Sequence, residues 1–414
     1  MTIDAGEMAL VYLHCECYKN VTLDKLHKRW LEMRKVFYSA ILLLAGVFFM
    51  SACGGNNDDE RQEVTFENVR LAFIHPGNIY DRGYTYRQHD GTLAMAAALG
   101  IDPETQIRNF WTRLSPDEVT TSIEEAIAWG ADMIFATSFG HGPPMLEAAR
   151  NNPDIMFHHA TGNLAVDANL PNFHNYFGNM SQARYMSGIA AGLRTETNVL
   201  GFVAAHPNSE VITGLTAFFL GAQSVNPDVR MYVQFMGVWN NPTLESQIAQ
   251  ALIDQGADVL GQHADSPATQ LVAQENGVWS VGYNNCVIAE APDATLVAPM
   301  FVWEIYLNEA VRNFVEGRGN PTDFIRGWNE GMVVLSDFNT NTIAPGTVEA
   351  VVTAEAQIRA GRNVFTGPIY GYRNIGPQAW SDTPEQLLAP GEEWIEPMSA
   401  PSWAHRVSGI IFLN

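Results

Sequence analysis

Aromatic and polar side chains gather in several turns of this sequence, each directly after a stretch that predicts a buried β-strand. Asp81, Tyr84 and Tyr86 follow the first of these strands, and Ser138 with Phe139 follows a later one. Stacking on flat rings stabilises a bound heteroaromatic ligand by about 1–3 kcal/mol per base. These turns therefore favour a site for a planar molecule, although each ring alone is as well explained as a rim or core aromatic.

The second half of the chain repeats this arrangement. Trp239 and Asn240 follow the stretch VRMYVQFMG, and Asp265 follows ADVLGQH. Asn and Asp side chains pair with the amino and ring-nitrogen edges of purines. We favour Asp81 and Asp265 as the ligand contacts, with capping of the helices that follow them as the alternative role. Sugars also stack on aromatic rings, so the rings by themselves do not select purines.

The sequence lacks a convincing catalytic or metal-binding motif. Ser138 lies close to His141, but Ala136 precedes it by two positions, where the Gly-x-Ser-x-Gly motif needs glycine. Other histidines lack the helical spacing and carboxylate partner of a metal site, and we interpret them as structural or cleft-lining. These are His158, His159, His174, His206 and His263. We therefore expect a binding protein, with no enzymatic activity, metal or cofactor.

The elements that position these residues alternate between short β-branched or aromatic runs and helical periods. This pattern predicts an α/β fold with parallel sheets flanked by helices. The stretches AIAWGADMIFATS and ALIDQGADVLGQH share a helix, a Gly-Ala-Asp turn and a strand. The repeat predicts two similar α/β halves. Because ligands of open parallel sheets bind beyond the carboxyl ends of the strands, the turns described above lie where a site is expected.

An apolar run near the start of the chain ends at a cysteine followed by a polar stretch. The run covers residues 36–50, shorter than the roughly 20 residues of a membrane-spanning helix. Basic residues precede it, and Met50-Ser51-Ala52-Cys53 resembles a bacterial lipobox, which implies diacylglycerol on Cys53. We predict that the start site is assigned too early and that residues 1–32 precede the true start. Residues 33–52 would then form a signal peptide and residues 53–67 a flexible tether. An uncleaved membrane anchor is the alternative.

Charge in the chain after this leader is strongly acidic. All four lysines precede Cys53, so the predicted mature chain carries 17 arginines against 40 Asp and Glu residues, a net charge of 17 − 40 = −23. Such a chain repels nucleic acid and anionic lipid, so we expect no nucleic-acid partner. An acidic, solubilising surface explains the composition, with adaptation to salt as the alternative. Without lysine, Schiff-base chemistry and a phosphate-binding P-loop are excluded.

Several stretches between Val69 and Ile369 together resemble the basic-membrane-protein, or PnrA-like, family of substrate-binding lipoproteins of ABC transporters. They are YDRGYTY, ATSFGHGPPMLEAA, HHATG, ARYMSGIAAG, LGFVAAHPNSEVITGLTAFFLGAQSVNPDV, ALIDQGADVLGQHADSPA and FTGPI. The resemblance implies a type I periplasmic-binding-protein fold, with two doubly wound parallel-sheet lobes joined by hinge strands. It also implies a purine base or nucleoside as ligand, and permease and ATPase subunits as partners.

Two positions depart from the family pattern. Many members have an aspartate-rich turn where this chain has Gly-Tyr-Asn-Asn-Cys around Asn284, and a lysine near the position of Trp303. In the family these groups are associated with ribose or substrate hydroxyls. We therefore favour a free base such as adenine or guanine, with Asn284 and Trp303 as further ligand contacts. Core packing is the alternative for Trp303.

The resemblance also predicts how the chain is divided. We assign residues 68–180 and 283–325 to an N-terminal lobe, 181–282 and 326–374 to a C-terminal lobe, and 375–414 to an extended strap over the surface. We expect a monomer that is held on the outer side of the cell membrane by its lipid alone and feeds an importer. A sugar-binding or sensory receptor of the same fold, without a transporter, is the alternative.

Overall fold

The structure is a computed structural model that describes residues 63–395 and 401–413. Strands and helices alternate through the first three quarters of the chain. The strands are β1 (Leu71–Ile74), β2 (Ile107–Phe110), β3 (Met133–Ala136), β4 (Met156–Ala160), β5 (Phe173–Gly178), β6 (Val199–Ala204), β7 (Arg230–Phe235), β8 (Val259–His263), β9 (Trp279–Ser280), β10 (Pro299–Phe301), β11 (Asp323–Arg326), β12 (Val333–Leu335), β13 (Ile369–Tyr372), β14 (Asn374–Gly376), β15 (Ala379–Trp380), β16 (Glu385–Leu388), β17 (Arg406–Val407) and β18 (Ile410–Leu413). The helices are α1 (Tyr84–Leu99), α2 (Pro103–Gln106), α3 (Pro116–Trp129), α4 (Gly142–Asn151), α5 (Leu164–Ala168), α6 (Met180–Arg194), α7 (Ser209–Val225), α8 (Pro242–Asp254), α9 (Ala268–Asn276), α10 (Glu304–Val315) and α11 (Thr347–Arg359).

The first lobe is built on a sheet of six parallel strands in the order β2-β1-β3-β4-β5-β11. Alternate residues of the central strands enter two cores, one on each face of the sheet. Leu71 and Phe73 pack on one face against α1 and α10, while Ala72 and Ile74 pack on the other against α3 and α4. Strands buried on both faces explain the continuous apolar runs of the sequence.

The second lobe repeats this plan with parallel strands in the order β18-β7-β6-β8-β9. Helices α6 and α7 cover one face and approach each other unusually closely. A Cβ atom at Gly188 of α6 would collide with the carbonyl of Phe218, and one at Gly221 of α7 with the carbonyl of Tyr185. Glycine at these two positions therefore allows the two backbones to touch. The two-lobed α/β fold expected from the sequence is confirmed.

The chain crosses between the lobes after β5, around β10 and before β12. Strands β10 and β12 form a two-stranded antiparallel sheet at the junction, with Met300 opposite Val334. The sequence-based boundary put the second crossing at residue 283. The structure instead places Leu296 and Val297 in the core of the second lobe, so this crossing lies near β10. The segment before β10 is irregular, and no periodic pattern indicated which core it joins.

The C-terminal segment differs from the expected surface strap. Strands β13, β16 and β17 form a small antiparallel sheet, and β18 adds in parallel to the edge of the second-lobe sheet beside β7. Leu388, Trp403 and Ile410 are buried in the core of that lobe. The described residues after 374 are thus part of the second lobe, because their apolar side chains enter its core. Pro and Gly residues between these side chains hid this role in the sequence.

Candidate functional site

An inner pocket lies between the lobes at the carboxyl ends of their strands, where open parallel sheets bind ligands. Its walls leave about 40 Å³ of free space. Residues of the first lobe, the second lobe and the hinge region contribute to it. They are Pro76, Tyr84, Ser138, Phe139, Thr161, Phe177, Glu210, Trp239, His263, Asp265 and Tyr283.

Two aromatic side chains enter the inner pocket from different lobes. Phe139 belongs to the turn after β3 and is 61% exposed, which is unusual for a phenylalanine. Trp239 belongs to the turn after β7, where the His206 ring lies 4.9 Å away at 62°. Tyr84 lines the same pocket, at a right-angle contact of 5.9 Å with the buried Trp303. The pocket therefore offers apolar surfaces on both lobes.

The polar groups of the inner pocket are mainly carboxyl, hydroxyl and imidazole groups. Asp265 lies between Trp239 and the first lobe, and its pKa is raised well above the ordinary value. Burial is the main cause, and the carboxylates of Asp81, Glu245 and Glu210 add to it. Asp265 is therefore protonated more readily than an ordinary aspartate and can then donate a hydrogen bond.

A second group of charges lies below the pocket, at the start of α7. His263 Nε2 is 3.5 Å from Glu210 Oε1. The guanidinium of Arg184 is fully buried 3.7 Å over the Tyr283 ring, and its Nη1 atom donates to the Gln262 carbonyl at 2.7 Å. Burial lowers the pKa of Arg184 to about 10, so it keeps its charge at neutral pH. The pocket floor therefore contains a carboxylate close to a hidden cation.

The lobes are in contact in this structure. A Cβ atom added to Gly83, before α1, would lie 2.8 Å from the backbone carbon of Asp265 in the other lobe. Arg82 forms an ion pair with Glu290, also across the two lobes. Outside this contact, a larger groove of about 780 Å³ continues from the inner pocket, sharing Pro76, Trp239 and Asp265 with it. The structure thus represents a closed arrangement of the lobes.

Comparison with known proteins decides the family. A family model described as "ABC transporter substrate-binding protein PnrA-like" matches residues 68–356. The chain belongs to this family. A purine-binding protein of Brucella abortus is 34% identical over 306 residues, which cover 73% of this chain and 85% of that protein. A protein of Haloferax volcanii, named provisionally as an ABC transporter glucose-binding protein, is 31% identical over 73% of this chain and 76% of its own length.

Solved structures agree on the fold. An ABC transporter solute-binding protein of Aeropyrum pernix K1 superposes with a TM-score of 0.61 at 16% identity, covering 75% of this chain and 94% of that one. The match to the family model confirms the resemblance seen in the sequence: the chain is the substrate-binding protein of an ABC transporter, of a family that works outside the cytoplasm. Family and fold are those of proteins that bind and deliver substrates rather than catalyse reactions.

Several predicted site residues of this binding protein do lie together. Tyr84, Ser138, Phe139, Trp239 and Asp265 all line the inner pocket. Asn240 lies in the outer groove instead, where its amide donates to the Asp265 carbonyl at 3.0 Å. The principle that ligands bind beyond strand ends located these residues correctly. That they contact a ligand stays a prediction.

Asp81 has the alternative role that the sequence left open. Its carboxylate accepts backbone N–H groups of Gly83, Thr85 and Tyr86 at 2.9–3.0 Å, at the start of α1. Burial nevertheless raises its pKa, since these hydrogen bonds offset the loss of water only in part. Asp81 borders the outer groove and lies outside the inner pocket. It caps the start of α1, and this role takes the place of the ligand contact expected from the sequence.

Three other predicted residues do not line either cavity. Tyr86 is 40% exposed on α1, two positions beyond Tyr84, which lines the pocket. Asn284 is fully buried in a left-handed conformation (φ 62°) near β10. Trp303 is fully buried and stacked on Phe301 at 4.4 Å, which is the core-packing alternative. Cys53 lies outside the described residues, so the structure contains no information on its lipidation.

Several polar residues that line the inner pocket were not expected from the sequence. Glu210, Tyr283 and Thr161 line the inner pocket, yet the sequence analysis did not single them out. Each follows a strand, as do the residues that were found, so strand ends were a usable signal. Glu210 lies in the first turn of α7 rather than directly after β6. His263 was interpreted correctly as a structural or cleft-lining residue.

Proposed function

We propose that this protein captures a purine nucleobase outside the cell and delivers it to an ABC importer. The observation that supports this most is the pair of rings in the inner pocket, with Phe139 on the first lobe and Trp239 on the second. A planar base between them gains stacking from both lobes only when they close. The purine-binding relative from Brucella abortus supports the same ligand class.

The charges around the inner pocket favour a ligand without phosphate. Of the described residues that line it, the acidic ones are Glu210 and Asp265, and none is arginine or lysine. The region after Cys53 contains no lysine. A phosphate would meet carboxyl groups where it needs cations, so nucleotides are disfavoured.

The departures from the family pattern favour a free base over a nucleoside. Trp303 fills the core and Asn284 is buried away from both cavities. Neither side chain places a charged group in the pocket that could form hydrogen bonds with ribose hydroxyls. Tyr283 borders the pocket at this side instead, as a largely apolar wall. A nucleoside with its sugar against the Tyr283 ring would lose hydrogen bonds to water that the face of the ring cannot replace.

Transport would proceed through opening and closing of the lobes. The inner pocket is too narrow for a ring to enter while Gly83 and Asp265 are in contact, so the lobes must separate to admit the base. A ligand that binds both walls stabilises the closed state and shifts an existing equilibrium toward it. The closed protein, acting as a monomer, would then dock on the permease.

A lipid on Cys53 would keep the protein at the outer face of the membrane. The sequence around this cysteine supports lipidation, and among the described residues no helix has both the length and the apolarity to cross a bilayer. Intact-mass measurement of the protein from its native membrane tests this idea. A mature chain that begins at an acylated Cys53 is expected, and an unmodified thiol there would contradict it.

Calorimetric titration with adenine, guanine and their nucleosides tests the ligand. We expect free bases to bind more tightly than nucleosides, and Trp239→Ala and Phe139→Ala each to weaken base binding by roughly tenfold to a hundredfold. Tyr370→Ala is the matched control, because Tyr370 is 54% exposed on β13 and lies outside both cavities. Unchanged affinity in both pocket variants would remove the rings from the site.

A sugar receptor is the second candidate, and the relative from Haloferax volcanii favours it. Aromatic side chains also stack on sugar faces, so the rings alone do not separate the two. Titration with glucose and pentoses beside the purines decides the matter. Binding of sugars alone would overturn the purine proposal. Permease and ATPase genes beside this one would favour transport over a sensory role.

A further inference from the structure

Glu210 occupies the one place in the inner pocket where a carboxylate is backed by buried basic groups. On the basis of the proposed purine function, we infer that Glu210 determines specificity because its carboxylate selects guanine over adenine. Guanine presents two adjacent hydrogen-bond donors. Glu210 lies within one of the stretches that resemble the family, but it was not among the ligand contacts expected from the sequence.

Glu210 borders two cavities. The residue is half-buried in the first turn of α7 and lines the inner pocket. It also borders a small cavity beneath, which it shares with Thr213, His263 and Tyr283. One oxygen, Oε1, lies 3.5 Å from His263 Nε2. The contact with His263 orients the carboxyl group, and Oε2 together with the second lone pair of Oε1 remains for a ligand.

Arg184 supplies the balancing charge from below. Its Nε and Nη2 atoms have no hydrogen-bond partner among the described residues, and the side chain is fully buried. A Cβ atom at Gly214 would lie 3.7 Å from Arg184 Nε and 3.6 Å from His263 Nδ1, so both groups converge beside the small cavity. The Tyr283 ring, 3.7 Å from the guanidinium, lies between this cation and the pocket. The arginine thus lies behind Tyr283 and offers no donor to the ligand.

A carboxylate accepts hydrogen bonds and donates none. Guanine has N1–H and a 2-amino group side by side, so it donates twice to one carboxylate. Adenine has an acceptor at N1, and this lone pair would face the negative oxygens. Hypoxanthine has N1–H but no 2-amino group and is intermediate. Protonated Asp265, on the same pocket, can donate to the 6-oxo group shared by guanine and hypoxanthine.

A ligand series tests this without changing the protein. In calorimetric titrations of the wild-type chain we expect the order guanine, hypoxanthine, adenine, with roughly tenfold or more lost between guanine and adenine. Methylation at N1 removes one donor, so 1-methylguanine should bind at least about tenfold more weakly than guanine. Adenine binding as tightly as guanine would overturn the inference while leaving the purine function standing. Absence of any purine binding would overturn both.

The variant Glu210→Gln should reverse the preference. Glutamine offers one acceptor and one donor, which match N6–H and N1 of adenine, and it keeps the size of the side chain. We expect guanine affinity to fall roughly tenfold to a hundredfold and adenine affinity to hold or rise. Glu147→Gln, on the exposed side of α4, is the matched control and should leave the ratio unchanged. An unchanged guanine-to-adenine ratio in Glu210→Gln would contradict the inference, and the ligand series stands if this variant misfolds.

Discussion

At the scale of the residue, carboxyl groups in this protein differ mainly in which donors surround them. The carboxylate of Asp81 accepts hydrogen bonds from three backbone N–H groups at the start of α1. Glu210 has His263 beside it and an open pocket in front. Glu245 is fully buried, where it accepts hydrogen bonds from Ser266 Oγ at 2.5 Å and from Thr269 N and Oγ1 at 3.0 and 2.8 Å. The sequence shows all three only as acidic residues near helix starts.

Glu245 should make stability depend on pH. Burial raises its pKa from 4.5 to about 7, so the folded state holds this proton more tightly than the unfolded chain. The resulting stabilisation is complete below about pH 4.5 and is lost as pH rises through about 7. Glu245→Gln cannot titrate. We expect the free energy of unfolding of the wild type, relative to this variant, to fall by on the order of 3 kcal/mol between pH 4.5 and pH 8.

Denaturant unfolding of both proteins across this range measures the effect. Buried histidines act in the opposite direction: burial lowers the pKa of His75 to about 3, so it favours folding as pH rises toward 6.5. Because both proteins contain His75, its contribution cancels in their difference. Stability curves that stay parallel from pH 4.5 to pH 8 would show that Glu245 has an ordinary pKa.

At the scale of the element, local signals set the helix ends, whereas helix packing depends on distant residues. Helix α3 has a capping box in which Ser115 and Glu118 bond each other's backbone, and Gly130 ends it in the left-handed conformation (φ 86°). Proline in the first turn and glycine just after the last turn are local signals of helix ends, and Pro116 and Gly130 occupy these positions here. By contrast, no local pattern shows that Gly188 faces the carbonyl of Phe218, because the two lie on different helices.

Gly188→Ala should therefore destabilise the second lobe. The added methyl group would collide with the backbone of α7, and the two helices must separate to accommodate it. Overpacking of this kind typically costs about 1–3 kcal/mol. The midpoint of chemical unfolding measures this loss. Gly319→Ala is the control, because a Cβ atom there has nothing within 4 Å. Equal midpoints for the two variants would show that the helices slide apart freely.

At the scale of the whole molecule, the site exists only when the lobes are together. Phe139 and Trp239 are 100 residues apart in the chain, and they line one pocket because the lobes close. Gly83 and the Asp265 backbone form a close contact between the lobes. The ion pair between Arg82 and Glu290 adds to it, although a pair exposed to this degree stabilises by no more than about 1 kcal/mol.

Gly83→Ala should hold the lobes slightly apart. Its methyl group would meet the Asp265 backbone at 2.8 Å, so the fully closed state is disfavoured while each lobe keeps its own core. We expect base affinity to fall at least about tenfold, with the unfolding midpoint changed little. Calorimetry measures the affinity, and small-angle scattering with saturating base should show a larger radius of gyration than in the wild type. Wild-type affinity in this variant would rule out the contact as a limit on closure.

The sequence by itself determined the α/β class, the two repeated halves and the family, because these depend on periodicity and on motifs that neighbours along the chain create. It also located Ser138, Phe139, Trp239 and Asp265, since strand ends can be recognised locally. Only the tertiary structure decided that Asp81 caps a helix, that Trp303 is core and that Glu210 faces the pocket. The same residue types suit either role, and the difference lies in which distant groups supply or withhold hydrogen bonds and water.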